Sequence, residues 1–220
     1  VDGEARTSLI TFPSDGRIPE LTPEGARRKQ EYHEFRSRFG EFDHPELRPL
    51  AERCILGFGS TSGPPTLPNY FYNNHKRIVQ GEDTVVILVE MVHDARIIRL
   101  DSEHGPAEDR RWLGDSIGHW EGDTLVVETT NFLRETGFTG SGANLHLVER
   151  VRRDDDNTLV YEFTVDDPEK FTSSWTAVIP MRRTTEPMFE YACHEGNYGM
   201  TNLLSGSRAE ERSAVSSAGG

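Results

Sequence analysis

Short segments of strand-forming residues, separated by clusters of turn residues, fill most of the chain after residue 69. These segments span residues 70–73, 76–80, 84–91, 96–100, 118–120, 124–130, 145–151, 158–165, 175–183 and 189–194. Turns such as Gly81-Glu82-Asp83 leave only short links between successive segments. Short links favour antiparallel hairpins, since parallel strands need long crossover connections. The pattern predicts an all-β fold, either an antiparallel β-barrel of the lipocalin or calycin type or a sandwich.

One helix is predicted before the strands. Thr22 can cap it with a hydroxyl, Pro23 suits its first position, and the helix is expected to end near Phe39. Its apolar content is thin, which predicts a helix strapped across the surface of the β-domain. The expected organisation is an extended segment with this helix at 1–55, a β-barrel domain at 56–204 and a polar, partly disordered tail at 205–220.

The charge balance restricts the partners of the chain. Lys and Arg number 24 against 37 Asp and Glu, which gives a formal charge of −13. Nucleic acids and anionic membrane surfaces both require clustered positive charge, so neither is an expected partner. No apolar run approaches the roughly 20 residues that span a bilayer. We expect a small-molecule ligand or substrate, and a monomer or homodimer.

The chain has two cysteines, Cys54 and Cys193. They form no Cys-x-x-Cys pair, so a thiolate zinc site or a thioredoxin-like motif is not indicated. A disulfide would tie the N-terminal segment to the last predicted strand and would imply export from the cytoplasm. Two separate buried thiols are the alternative.

Several ionisable residues lie directly after the apolar run 85–89, among further hydrophobic residues. Among them, Glu90, His93 and Arg96 are the candidate catalytic residues. Glu90 or His93 would transfer protons, and Arg96 would stabilise developing negative charge. A turn or bulge at residues 94–95 would bring Arg96 back beside Glu90. The alternative is a buried Glu–Arg ion pair with a hydrogen-bonded histidine, because a buried charge must be paired.

Other polar residues are candidates for ligand binding. Tyr72 and Asn74 belong to an aromatic, amide-rich stretch, while His194 and Glu195 close the last predicted strand. His146 lies on another predicted strand and completes the set of substrate-binding candidates. A metal site built from His93, His146 and His194 is a further possibility, because ligands on strands can be far apart in sequence.

A Ser-His-Asp triad is a weaker candidate. Asp115, Ser116 and His119 supply the residue types of a hydrolytic triad. Triad members usually converge from separate elements, and these three lie within five positions. The segment is better explained as the start of a hairpin.

Several stretches together resemble a family of exported, β-rich proteins of environmental bacteria. They are residues 6–10, 15–19, 90–98, 114–132 and 191–200, and the resemblance covers nearly the whole chain. Members of that family carry a signal peptide and an N-terminal stretch, which implies a processed or trimmed start here. The family carries no established activity, so the resemblance assigns no catalytic role.

The sequence thus supports three hypotheses about function. The first is a secreted or periplasmic, metal-independent enzyme, a hydrolase or lyase without a cofactor, that acts on a small organic molecule in a barrel cavity by acid–base catalysis. The second is a binding or carrier barrel without catalysis. The third is a metal-dependent enzyme that uses histidines on strands.

Overall fold

The computed structural model describes residues 6–57, 63–67, 72–134 and 138–218, and its main feature is one nine-stranded sheet. The strands are β1 (Ile10–Phe12), β2 (Lys76–Gln80), β3 (Thr84–Val89), β4 (Ala95–Leu100), β5 (Asp115–Glu121), β6 (Thr124–Thr130), β7 (His146–Asp155), β8 (Thr158–Asp166) and β9 (Trp175–Arg182). Their order in the sheet is β1-β9-β8-β7-β6-β5-β4-β3-β2. Of the two α-helices, α1 (Pro23–Arg36) lies between β1 and β2 in sequence, and α2 (Tyr198–Ala218) follows β9.

The sheet is mixed and open. All neighbouring strands are antiparallel except β4 and β5, which run parallel and are linked by residues 101–114. The edge strands β1 and β2 do not pair with each other. The all-β prediction is therefore confirmed in its coarse form, whereas a closed lipocalin-type barrel is not. The parallel step was not expected, because the sequence pattern favoured hairpins throughout.

The sheet curls around the segment 63–67, which crosses its inner face. The backbone N–H of Thr66 donates to Tyr161 on β8, and the carbonyl of Leu67 accepts from Lys76 on β2. On a flat sheet, strands six places apart would lie about 29 Å from each other. The side chains of Tyr161 and Lys76, linked through residues 66 and 67, are too short to span that distance. The sheet must therefore be strongly curved.

The core lies on the inner face of the curved sheet. One cluster of buried side chains belongs mainly to β7, β8 and β9, and a second to β3, β4 and β6. Most outer-face residues of β2, β3 and β4 are half-exposed or exposed, among them Val86 and Ile97, whereas Val126, Val160 and Val178 are buried on that face. No second sheet covers that face among the described residues, so the sandwich alternative is not confirmed either.

Most strand predictions agree with the structure. β2 and β6 have the predicted bounds, since turn residues fix both of their hairpins. The prediction of a strand at 189–194 is wrong: these residues form an irregular segment and a turn. The prediction at 70–73 falls partly outside the described residues, and Tyr72 and Asn73 are not in a strand.

Helix α1 begins as predicted but does not lie across the sheet. Thr22 accepts the backbone N–H of Gly25 at 3.0 Å and so caps the helix. Gly25 packs so closely on the backbone of Lys170 that a Cβ would lie 2.6 Å from its carbonyl oxygen. Beyond this first turn most side chains are exposed, including Tyr32 and Phe35. The predicted strap across the sheet is thus not observed, because the helix contacts the segment between β8 and β9 near its N-terminus and exposes most of its other side chains.

The C-terminal segment is helical where disorder was expected. Residues 198–218 form α2, so the polar tail at 205–218 is part of a largely exposed helix. Arg208 donates to the carbonyl oxygens of Phe42 and Asp43 and so connects α2 to the N-terminal segment. None of the described helices is both long enough and apolar enough to span a bilayer.

The predicted disulfide is present. Cys54 and Cys193 are bonded, with Cα atoms 5.8 Å apart and 139 positions between them in the chain. Asn197 strengthens the same junction by donating to the carbonyl of Glu52 at 2.9 Å. The bond therefore fixes the irregular segment after β9 to the N-terminal region.

Candidate functional site

Arg96 lies at the centre of a buried polar network. Its guanidinium donates to both carboxylate oxygens of Glu149, and the distance to Oε1 is 2.8 Å. It also donates to Ser116 Oγ at 3.0 Å and to Thr129 Oγ1 at 2.8 Å. Burial would lower the pKa of Arg96, but the charge of Glu149 raises it overall. The four side chains come from β4, β5, β6 and β7, and all are buried.

Tyr161 extends this network to the segment on the inner face. Its hydroxyl donates to Glu149 Oε1 at 2.6 Å and accepts the N–H of Thr66 at 2.9 Å. Burial, followed by the charge of Glu149, raises the pKa of Tyr161, so the phenol stays protonated. Arg96 is therefore half of a buried ion pair, and its partner is Glu149 rather than Glu90. In this arrangement its guanidinium is not directed at a substrate.

Glu90 forms a separate site at the end of β3. Oε1 accepts the backbone N–H of Phe189 at 3.1 Å, and Oε2 lies 3.0 Å from Nδ1 of His75. The ring N–H does not point at Oε2, so this contact is a close electrostatic one without hydrogen-bond alignment. The Glu90 side chain is 2% exposed and that of His75 is 32% exposed. A buried carboxylate thus faces one nitrogen of a partly accessible imidazole.

The β2–β3 hairpin brings these two residues together. Lys76 pairs with Val89 in the antiparallel register, so His75 and Glu90 are the next pair beyond the strands. The N–H of Glu90 donates to the carbonyl of His75 at 3.0 Å and closes that step. The sequence analysis included Glu90 but missed His75, although the hairpin register alone would have identified it.

Two stacked tyrosines lie close in sequence to the residues that hold this pair: Tyr191 follows Phe189, the donor to Glu90, by two residues. Tyr72, three residues before His75, stacks on Tyr191 with ring centroids 6.5 Å apart and planes 13° apart. Burial and a hydrogen bond to Tyr72 raise the pKa of Tyr191, so it remains a neutral phenol. We refer to Tyr72, His75, Glu90 and Tyr191 as the Glu90 cluster.

The chain turns sharply after Glu90. Residues 91–93 form a single turn, in which Val92 adopts φ +61°, a left-handed conformation that is strained for a β-branched residue. Strain of this kind costs about 1–3 kcal/mol and is often found at functional sites. The N–H of Val89 donates to the carbonyl of Asp94 at 2.9 Å and holds the turn. The backbone of His93 is part of it, but its side chain lies outside the described residues.

The remaining candidates lie in different places. Asn74 is exposed and directly precedes His75. His194 and Glu195 are exposed in the turn beside the disulfide. His146 lies 3.5 Å from Glu128 on the outer face of the sheet.

The structure does not support a triad or a histidine metal site in the described residues. Ser116 and His119 lie on opposite faces of β5, and Ser116 belongs to the Arg96 network. Within residues 6–57, 63–67, 72–134 and 138–218, no three His, Cys, Asp or Glu side chains are grouped so that they could hold a metal ion.

Asp115 anchors the loop that precedes β5. It accepts the N–H of Gly105 at 2.9 Å and lies 3.1 Å from Arg99 and 3.3 Å from His104. Burial raises the pKa of Asp115, but Gly105, His104 and Arg99 outweigh burial and lower it. The contacts hold the 101–114 connection against the sheet, and this explains why an acid is buried at this position.

Lys76 is an unusual cation on the inner face of β2. Its Nζ lies 3.4 Å from the carbonyl oxygen of Leu67, which is a weak contact. Burial lowers the pKa of Lys76 to about 8. The sequence does not predict this residue, because the position of the segment 63–67 over β2 cannot be inferred from it.

Two open grooves lie away from the Glu90 cluster. One, of about 610 Å³, is formed by the β7–β8 turn and the end of β9. The other, of about 280 Å³, lies on the outer face between Arg150, Arg152 and Glu162. Neither groove contains a residue of the Glu90 cluster, so we base the site on side-chain geometry rather than on groove size.

Comparison with protein-family models, curated proteins and solved structures finds no match to this chain.

Proposed function

We propose that the protein is an exported enzyme that acts on a small organic molecule by acid–base catalysis, in a hydrolysis or an elimination. One observation carries this proposal: the buried carboxylate of Glu90 lies 3.0 Å from Nδ1 of His75, whose side chain is 32% exposed. A carboxylate close to one nitrogen of an imidazole is a pairing that many general bases use.

His75 is the proposed proton acceptor. With Nδ1 facing Glu90, the other ring nitrogen, Nε2, is left to exchange a proton with a substrate or water. Glu90 itself is held by the N–H of Phe189, so the pair is positioned before any ligand binds.

Tyr191 is the proposed proton donor. A phenol is protonated at neutral pH, and burial raises the pKa of Tyr191 further; its ring stacks on that of Tyr72. A phenol can donate a hydrogen bond to an oxygen that gains negative charge in the transition state. This assigns to Tyr191 the role that the sequence analysis gave to Arg96, which instead pairs with Glu149.

Export is supported by the disulfide between Cys54 and Cys193, since disulfides persist in oxidising compartments. The resemblance to exported bacterial proteins points the same way. We propose a secreted or periplasmic location on these two grounds.

Binding without turnover is the second candidate function. Tyr72 and Tyr191 offer nearly parallel rings, and Tyr72 is exposed. Such rings suit a planar apolar ligand. On this hypothesis Glu90 and His75 would stabilise the end of the β2–β3 hairpin, and no product would form.

The two functions can be separated with three variants and one set of probes. The wild-type chain, His75→Gln and Glu90→Gln are incubated with a panel of small esters, lactones and β-hydroxy acids, and products are followed by NMR. His119→Gln is the matched control, because His119 also faces a carboxylate, Glu121 at 3.3 Å, but on the exposed surface.

The proposal predicts turnover of at least one probe by the wild type and by His119→Gln. We expect a loss of about 100-fold or more in His75→Gln and Glu90→Gln, the range for general acid–base groups. Circular dichroism establishes that each variant is folded. Unchanged turnover in folded His75→Gln would contradict the proposal, and saturable binding of a probe without product would favour the carrier.

A further inference from the structure

The irregular segment between β9 and α2 supplies two of the contacts that build the Glu90 cluster. The N–H of Phe189 donates to Glu90 Oε1 at 3.1 Å, and Tyr191 stacks on Tyr72. Residues 184–197 are all described, and none of them belongs to a strand or a helix. The ladder hydrogen bonds of the sheet therefore do not fix the position of this segment.

Side-chain packing, within the described residues, holds the segment at few points. Residues 184–187 are exposed, and Phe189 is 67% exposed, so its ring does not anchor the chain. Tyr191 is half-buried and packs against the core cluster of β3, β4 and β6. A segment with few buried apolar contacts opens locally at a low free energy. The hydrogen bond from Phe189 to Glu90 therefore depends on a further constraint.

The disulfide supplies this constraint. Cys193, which is bonded to Cys54, follows Phe189 by four residues and Tyr191 by two. Four residues span at most about 14 Å, so Phe189 stays near Cys54 while the bond is intact. Without the bond, the nearest hydrogen bond from this segment to the turn at Cys54 is that of Asn197 with Glu52, at 2.9 Å. Asn197 lies eight residues from Phe189, and eight residues span up to about 28 Å.

We propose that the Cys54–Cys193 disulfide positions the Glu90 cluster, so that the site is complete only after the two thiols have been oxidised. This role rests on the proposed function, in which Glu90 and His75 carry the chemistry. Oxidation removes two electrons and two protons from the thiols as the S–S bond forms, and a disulfide oxidant accepts them and is reduced to two thiols. A reducing compartment keeps both cysteines as thiols. The chain is therefore inactive there and becomes competent after export.

Amide hydrogen exchange, followed by NMR, tests the positioning without any substrate. The complete chain is compared in its oxidised form and after reduction with dithiothreitol, at a temperature at which circular dichroism shows a folded sheet. The amide of Phe189 should exchange about tenfold or more faster after reduction, whereas the amides of β6 and β7 should change little. Reoxidation with oxidised glutathione should restore slow exchange. Equal exchange at Phe189 in both forms would overturn the proposal.

Two proline variants with the disulfide intact make the test independent of the stability of the reduced chain. Phe189→Pro removes the N–H that donates to Glu90, and Thr185→Pro is the matched control at an exposed position of the same segment. Turnover of the probe esters, lactones or β-hydroxy acids should decrease about 100-fold in Phe189→Pro and stay unchanged in Thr185→Pro. Full turnover by folded Phe189→Pro would also overturn the proposal.

The combined outcomes separate this role of the disulfide from the proposed function. If the wild type converts no probe but Phe189 exchanges faster on reduction, the acid–base function is contradicted, and positioning of the segment by the disulfide is supported. If turnover and slow exchange at Phe189 both survive reduction, the acid–base function is supported and the positioning role is overturned.

Discussion

Breaking the buried pair between Arg96 and Glu149 should destabilise the fold severely. Arg96→Met removes the guanidinium and leaves the carboxylate of Glu149 buried, with the hydroxyl of Tyr161 as its remaining side-chain donor. Removal of one member of a buried pair typically costs 3–5 kcal/mol. Since 1 kcal/mol changes Tm by roughly 2–4 °C in a chain of this size, we expect a decrease of about 6–20 °C.

A substitution of Glu149 completes a double-mutant cycle and tests whether the broken ion pair causes the loss of stability. Glu149→Leu alone leaves the charge of Arg96 unpaired and should cost a similar amount. The double variant removes both charges, so it should be more stable than the sum of the two single losses predicts. It should not recover fully, because Tyr161 loses its acceptor, and an unsatisfied buried hydroxyl costs about 1–3 kcal/mol.

Urea unfolding followed by circular dichroism measures the free energy of unfolding of all three variants. Arg150→Met is the matched control, since Arg150 lies 2.7 Å from Glu121 in an exposed ion pair that should contribute under about 1 kcal/mol. The reasoning is refuted if Arg96→Met costs no more than Arg150→Met. It is also refuted if the losses of the two single variants simply add in the double variant.

Two further predictions concern stability. Replacing Cys54 and Cys193 by Ala opens a loop of 139 positions and should lower the free energy of unfolding by up to about 5 kcal/mol, measured in urea; an unchanged midpoint would contradict this. Lys76→Met should raise that free energy by about 3 kcal/mol at pH 7, because burial lowers the pKa of the amine from 10.5 to about 8 in the folded chain. Between pH 8 and 10.5 the unfolded chain binds more protons at this amine than the folded chain does, so wild-type stability rises with pH there and the advantage of the variant shrinks. If the stability advantage of Lys76→Met over the wild type stays constant to pH 10.5, the buried amine is not its cause.

The sequence predicted those strands whose ends are fixed by local turns. Gly122 has φ +58° in the turn between β5 and β6, a conformation that glycine adopts without strain, and the bounds of β6 agree with the prediction. The segment 189–194 has a comparable composition but forms no strand. A strand requires a neighbour, and pairing depends on the sheet order, which residue composition does not contain.

The site was predicted only in part for a similar reason. Arg96 was correctly identified as buried, but its partner Glu149 lies 53 positions away and three strands along the chain. Only the sheet order β4-β5-β6-β7 brings the two side chains to one face. His75 and Glu90, in contrast, belong to a single hairpin, so their proximity follows from its register. Local pairs can therefore be inferred from sequence, whereas pairs across several strands require the topology.

The buried carboxylates of Glu149 and Glu90 differ in how completely they are hydrogen-bonded, and this difference separates a structural role from a chemical one. Glu149 accepts well-directed hydrogen bonds from Arg96 and Tyr161, so any change in its protonation would break several contacts. Glu90 has one directed donor, the N–H of Phe189, and its second oxygen faces an imidazole that is close but misaligned. The His75 ring is partly exposed, so it can contact solvent or a ligand while the core stays intact. Acid–base chemistry is therefore compatible with the fold at the Glu90 cluster, and at Arg96 it is not.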